Sequence, residues 1–177
     1  MAEKRIAWAI TGAGQGLEEC IDVILSCVRV DIFLSRAAEE VIRMYHLDTR
    51  ITIPKVRIYE EGKPSSPVVI RLFGGEYSVL VIAPATSNSV AKFVSGISDN
   101  LVTNMFAQAG KTRVPVIVFP TDTAPEMDSR GPRGQRIKVY PRPIDLENTA
   151  KLKTHPGVTV VTTRQELEKS LAAFAAR

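Results

Sequence analysis

The sequence predicts a three-layer α/β fold, a parallel β-sheet covered by helices on both faces, in a single domain. Three observations carry this. Short apolar runs recur along the chain and alternate with stretches of helical periodicity. Most of these runs end in small or turn-forming residues such as Thr-Gly, Ser or Pro. The length of 177 residues suits one domain that buries about 70% of its unfolded surface without help from disulfides or metals.

The elements follow in order. Ile6 to Ile10 is an unbroken apolar run closed by Thr11-Gly12, as expected of a strand covered on both faces. Leu17, Cys20, Ile21, Ile24, Leu25 and Val28 then fall at helical spacing and place one apolar stripe against the sheet. Val30 to Ser35 is the second strand, and Arg36 to Tyr45, with Glu39 and Arg43 at i,i+4, the second helix. Between Leu47 and Gly75 the pattern is interrupted by Pro54, Pro64 and Pro67, and the alternation of Ile51, Ile53, Val56 and Ile58 suits an edge strand. Ser78 to Ala83 is the next buried strand. Ser87 to Gly110 reads as one helix or two, with Gly96 as the break. Val114 to Pro120 and Gly157 to Thr163 are the last strands, and Thr163 with Glu166 forms a capping box that opens a helix carrying Leu167, Leu171 and Phe174 on its inner side. Right-handed crossovers between such strands give a Rossmann-like (flavodoxin-like) sheet, with residues 1–177 as one domain and no linker.

Composition narrows the function classes. With 45% hydrophobic and 24% charged residues the chain is globular. Its longest apolar stretches fall short of the roughly 20 residues of a membrane span, and the opening MAEKRIAWAIT carries acid and runs into a strand, so no membrane partner, no signal peptide and a cytoplasmic location are expected. The two cysteines, Cys20 and Cys27, are too few for a disulfide framework and have no histidine partners for a metal. The net charge of +4 is mild and the basic residues are not interleaved with aromatics, which argues against nucleic acid. One basic cluster remains: Arg130, Arg133, Arg136, Lys138 and Arg142 lie in the loop-like SRGPRGQRIKVYPRP, readable as a solvated loop, a subunit contact or a clamp for an anionic substrate.

In open α/β sheets, ligands bind beyond the carboxyl ends of the strands, where strand order reverses. The unusual residues of this chain gather there: Thr11-Gly12-Ala13-Gly14, Ser35-Arg36, Pro84-Ala85-Thr86-Ser87-Asn88 and Pro120-Thr121-Asp122. A nicotinamide fingerprint would need G-x-G-x-x-G and an acid at the end of the second strand. Here the spacing is G-x-G-x-G (Gly12, Gly14, Gly16), that strand ends in Ser35-Arg36, and Asp31 lies at its beginning. A hydroxyl beside a guanidinium suits a terminal phosphate better than a ribose diol.

APATSNSVAKFVSGISDNLVTN resembles the Pro-Ala-Ser-Ala-Asn type signature and the following "GI-AD-LL" segment of the flavoprotein family of homo-oligomeric flavin-containing cysteine decarboxylases, the latter here being Gly96 to Leu101. TGAG resembles that family's first turn, FLSRAAEEVI its segment after the second strand, and IVFPTD its fourth strand, so the resemblance covers nearly the whole chain. It implies FMN in the crevice. By similarity Thr11, Gly12, Ala13 and Gly14 with Ser35 take the phosphate and ribityl end, and Pro84, Ala85, Thr86, Ser87 and Asn88 lie along the ring and ribityl chain. Asp99, Asn100 and Thr121 then stand at the ring or a subunit boundary, although Ser87 and Asn88 can also be read simply as helix caps. The resemblance further implies a homo-oligomer built from trimers, up to a dodecamer or 24-mer.

The branches differ in chemistry. Where decarboxylating members carry a histidine this chain has Ile70, and it has no cysteine after Cys27. Flavin prenyltransferases carry Arg-Glu-Thr-Pro-Leu after the fourth strand, where this chain has Thr121-Asp122-Thr123-Ala124. The stretches PATSNSVAKFVSGISDNLVTNMFAQAGK, VPVIVFPTDT and YPRPIDLENTAKLKTHPGVTVV are similar to archaeoflavoproteins and dihydromethanopterin reductases. The resemblance thus implies an FMN-dependent reductase of a dihydropterin, with a pure electron shuttle of the archaeoflavoprotein type, a flavin prenyltransferase and a regulatory flavin-binding subunit as alternatives. In such a site the cofactor carries the chemistry. The pterin proton comes from Asp122, Glu126 or water, Arg130 and Arg133 would meet an anionic pterin tail, and an external donor supplies the electrons.

Overall fold

The structure, a computed structural model, describes residues 4–54, 56–62 and 66–175. In chain order its elements are β1 (Arg5–Ile10), α1 (Leu17–Ser26), β2 (Val30–Leu34), α2 (Arg36–Met44), α3 (Asp48–Ile51), β3 (Arg57–Glu60), α4 (Ser66–Phe73) and β4 (Tyr77–Ala85). There follow α5 (Ser87–Val94), α6 (Leu101–Thr112), β5 (Val116–Pro120), β6 (Met127–Arg130), β7 (Arg136–Val139), α7 (Pro143–Lys153), β8 (Val158–Val160) and α8 (Arg164–Ala175). Six strands form one sheet in the order β3-β2-β1-β4-β5-β8, every neighbouring pair parallel. The expected three-layer fold is therefore present.

The period of two along each strand sorts the core into two layers. Ile6, Trp8 and Ile10 of β1 pack with Leu17, Ile21 and Ile24 of α1 and Leu167 and Leu171 of α8. Ala7 and Ala9 face the other way, with Leu80 and Ile82 of β4, Val90 and Phe93 of α5 and Met105 of α6. The Trp8 indole N–H, fully buried, donates to the Ala83 carbonyl at 2.7 Å. Buried indoles need such a partner, and this one ties β1 to β4.

Asp31 is the exception among these apolar strands. Its side chain is fully buried at the amino-terminal edge of the sheet, opposite the strand ends that concern function. Arg5 of β1 donates to it at 2.5 Å, Arg57 of β3 at 2.5 Å and the Tyr77 hydroxyl of β4 at 2.9 Å. Burial alone would raise this carboxyl, but the hydrogen bonds from Arg57, Arg5 and Tyr77 outweigh it and hold it below the ordinary value.

Several local expectations are corrected. α1 stops at Ser26, leaving Val28 84% exposed, so the apolar stripe ends a turn early, and Val23 is buried where Leu25 is partly exposed. Residues 48–51 form a helical turn, and the edge strand begins only at Arg57. Pro64 lies outside the described residues. Gly96, at φ 71°, does break the long helical stretch into α5 and α6. The Thr163 hydroxyl accepts the Glu166 amide at 3.2 Å as foreseen, while the Glu166 carboxylate reaches back to the Thr162 amide. The Gly- and Pro-rich basic stretch is loop only in part: β6 and β7 pair as an antiparallel hairpin around the turn at 131–135. α7, unassigned from sequence, buries Asp145, Asn148 and Thr149 with Leu152, a mixed face that hides its helical period.

Candidate functional site at the strand reversal

From β1 the chain steps outward to β2 and β3, then returns to lay β4 on the opposite side of β1. The reversal point between β1 and β4 is where such sheets open a crevice. Thr11, the first residue past β1, spans it. Its hydroxyl donates to the Pro84 carbonyl at 3.0 Å and accepts the Thr86 amide at 2.9 Å, and only 2% of the residue is exposed. On the far side of β4 the Thr121 amide donates to the Ala85 carbonyl at 3.0 Å, and on the near side the Ser35 amide donates to Ile10 at 3.2 Å. The ends of β2, β1, β4 and β5 are thus tied together as the sequence suggested.

The same bonds refine the role of each residue. Thr11 and Ser35 are held by the protein itself, the Ser35 hydroxyl accepting the Ala38 amide at 3.1 Å as the cap of α2. The cap of α5 is Thr86, which accepts the Ser89 amide at 3.2 Å, and not Ser87 or Asn88, which are the first helical positions. Asn100 caps α6, accepting the Thr103 amide at 2.9 Å, and Asp99 is exposed and paired with Lys92 at 2.7 Å. Lys92 holds the Asp99 carboxyl below its ordinary value.

Sequence reasoning missed Glu61. One carboxylate oxygen accepts the amide of Arg36 at 2.8 Å and the other that of Leu101 at 3.0 Å, so one side chain closes the amino ends of both α2 and α6. A carboxylate there satisfies two orphan donors and both helix dipoles. It also occupies the amino end of α2, beside the Ser35 expected to help hold the phosphate.

The open amino end belongs to α1. A cleft of 590 Å³ runs from its first turn, Gly14 to Glu19, past Phe119 and Thr121 at the end of β5, to the β6–β7 hairpin. Sites for small molecules span roughly 300–1,000 Å³. Gly16 caps α1 in a left-handed conformation, φ 72°, with no side chain bonding the helix. The Leu17 amide turns back to the Gly14 carbonyl at 3.2 Å, while among the described residues the amides of Gly14, Gln15, Gly16, Glu18 and Glu19 have no protein acceptor, and free amides at a helix start suit phosphate oxygens. The turn leaves no room for side chains: a Cβ on Gly12 would come within 2.6 Å of the Ala37 Cβ, and one on Gly14 would overlap the Tyr45 hydroxyl.

The facing wall is cationic. Arg130 and Arg136 are directly opposed on the hairpin, so their side chains share a face, and both line the cleft. Lys138 takes the hairpin's ion pairs, with Glu126 and with Asp128 at 3.7 Å, and among the described residues neither arginine has a carboxylate partner. Like charges opposed on a hairpin repel; an anion between them relieves the repulsion. Of the expected pair, Arg130 lines the cleft with Arg136 beside it, and Arg133 lies at the hairpin tip outside the lining. Asp122 does not line the cleft. It meets it through the Thr121 hydroxyl, which donates to the Asp122 carboxylate at 3.0 Å.

Among the described residues there is no metal-binding cluster and no helix long and apolar enough to cross a membrane. Cys20 is buried, which pushes its thiol far above the ordinary value; burial likewise pushes Cys27 up to about 11, so neither is a nucleophile.

The family described as Flavoprotein matches residues 1–175. The dihydromethanopterin reductase (acceptor) of Methanosarcina mazei is 40% identical over 169 residues, 88% of this chain. The protein of the same name from Methanocaldococcus jannaschii is 42% identical over 131 residues, 67% of this chain. The chain spans 67% and 53% of those two proteins' own lengths. The crystal structure of Burkholderia xenovorans DmrB in complex with FMN, described as a cubic protein cage for redox transfer, superposes with a TM-score of 0.86 at 39% identity, covering 97% of this chain and 95% of that one.

Proposed function

The chain belongs to the flavoprotein family, and on that premise we propose that it is an FMN-dependent reductase that converts dihydromethanopterin, or a related dihydropterin, to the tetrahydro form. The observation that carries the reading is the cleft between the amino end of α1, the end of β5 and the β6–β7 hairpin, with the Gly14 to Gly16 turn on one wall and Arg130 and Arg136 on the other. When bound and reduced by an external donor, FMN would supply the redox chemistry, a hydride for the C=N bond of the dihydropterin.

The residues present fit that group. Gly14, Gln15 and Gly16 offer amides to its phosphate at the amino end of α1, and Gly12 and Gly14 let the backbone approach because nothing larger fits there. Thr11 acts from behind, clamping the β1 turn to Pro84 and Thr86, so that the Pro84 to Asn88 loop keeps its place along the flavin. Thr121 lines the cleft past the end of β5, while Asp99 and Asn100, ahead of α6, stand outside its lining. Arg130 and Arg136 receive the anionic tail of the pterin. Lys138 engages Glu126, and Asp122 reaches the cleft only through Thr121, so water entering the cleft is the proton source.

The resemblance to a cage-forming protein supports a homo-oligomer, and trimers are its proposed building block. Exposed Ile97, Ile137, Tyr140 and Ile144 provide apolar surface for such contacts.

The deciding experiment is anaerobic. The purified protein is loaded with FMN, reduced chemically and mixed with dihydromethanopterin while the visible spectrum is followed. Reoxidation of the flavin with formation of the tetrahydropterin supports the reductase. Flavin that stays reduced, yet is reoxidised by a protein electron acceptor, assigns the chain to the shuttles.

A further inference from the structure

The β6–β7 hairpin supplies the cationic wall but has few ties to the domain. Among the described residues, the hydrogen bond that joins it to the body beyond its own flanking loop is donated by the Tyr45 hydroxyl to the Arg130 carbonyl, at 2.8 Å and across 85 residues of sequence. Tyr45 is well placed for this. Its backbone amide bonds Val41 at 2.9 Å at the end of α2, which fixes the Cα, and its ring lies over the Gly14 turn, where the missing Cβ makes the space. Burial and the Glu18 carboxylate hold the phenol above its ordinary value, so it remains a donor at neutral pH. The bonded carbonyl belongs to Arg130, one of the two arginines that line the cleft.

We infer that Tyr45 is a positioning residue: by bonding the Arg130 carbonyl across the Gly14 turn it holds the Arg130 and Arg136 guanidiniums against the cleft, and so makes the site prefer anionic electron acceptors to uncharged ones. The inference rests on the reading that the acceptor enters this cleft. Tyr45→Phe keeps the ring and deletes the bond. The hairpin then swings, and the guanidiniums lose their fixed geometry toward an anion while their charge stays.

The test uses the flavin-loaded protein, with retained flavin verified by its visible spectrum. Inorganic pyrophosphate binding is measured by calorimetry at low salt, and the second-order rate constant for anaerobic reoxidation of the chemically reduced, protein-bound flavin is compared for 1,2-naphthoquinone-4-sulfonate and uncharged 1,4-naphthoquinone. Arg130→Ser is expected to weaken pyrophosphate binding about tenfold, the worth of a charge-assisted contact, and to lower the sulfonate preference in parallel. Tyr45→Phe is expected to lower both several-fold, in the same direction. Wild-type values for Tyr45→Phe beside a clear loss for Arg130→Ser overturn the inference and leave the cleft assignment standing. Wild-type values for both variants overturn the cationic wall, and the inference with it. Protein that takes up no flavin refutes the functional reading itself.

Discussion

The Thr11 hydroxyl accepts the Thr86 amide at 2.9 Å while donating to the carbonyl of Pro84 at 3.0 Å, so one side chain fastens the turn after β1 to the turn after β4. These turns flank the point where strand order reverses, and their relative position sets the crevice. Thr11 is 2% exposed, so any partner it loses stays dry.

Thr11→Val keeps the shape and leaves the Thr86 amide without its acceptor. The expected cost is about 1–3 kcal/mol in urea denaturation, together with a lower flavin content per chain. Thr11→Ser, which keeps both bonds, should recover most of each. A Thr11→Val protein with wild-type stability would show that the clamp carries no load.

Asp31 links β1, β2, β3 and β4 at the opposite edge of the sheet. Its folded pKa is depressed, so its contribution is present above the unfolded value of about 3.9 and is lost as pH falls through the lower folded value. Asp31→Asn should therefore cost stability at neutral pH and flatten the acid limb of the stability curve. Arg57 is 43% exposed and can rehydrate, which puts the loss at the low end for a broken buried pair, about 3 kcal/mol. Chemical denaturation at pH 7 and pH 3 checks both statements.

Gly16→Ala meets two obstacles. The residue sits at φ 72°, costing an L side chain about 1–2 kcal/mol, and its Cβ would stand 2.9 Å from the Phe119 ring. Because this turn presents the α1 amides, the stability loss should come with weaker FMN binding, read by equilibrium dialysis. Weaker stability with unaltered flavin affinity would move the phosphate elsewhere.

Glu61→Ala uncaps α2 and α6 together. About 0.5–2 kcal/mol is expected for the lost caps, measured by thermal or urea unfolding. Glu61→Gln retains an oxygen for one helix only and should fall between wild type and alanine.

Trp8 is the one tryptophan and is fully buried, bonded to Ala83 beside the reversal point. FMN binding in the crevice should quench its emission saturably during titration. Unchanged emission at saturating FMN would place the cofactor away from β1 and β4.

Much of the fold was legible because it is written in local pattern. Apolar runs marked β1, β2, β4 and β5, that of β2 broken by Asp31, and 3.6-residue spacing marked α1 and α8, since burial on two faces or one stripe constrains composition directly. The crevice was legible for a related reason: glycines, hydroxyls and prolines collect where strands end. β3 and α7 were harder to read. β3 is a short, half-exposed edge strand, and α7 buries Asp145, Asn148 and Thr149. The hairpin escaped notice because its Gly and Pro content reads as loop and β6 is MDSR, without a strand's apolar alternation.

By itself, then, the sequence determined the layered sheet, the small and hydroxyl-bearing residues at its strand ends and the membership of the flavoprotein family. Tertiary structure alone decided how those ends are used. It engages the Thr11 and Ser35 hydroxyls within the protein, closes the amino end of α2 with Glu61, leaves that of α1 open, and sets Tyr45 beneath Arg130. These pairings join residues as far apart as 85 positions. A hydrogen bond of that span leaves no periodic mark in either segment, because its geometry exists only once the sheet has brought the strand ends together.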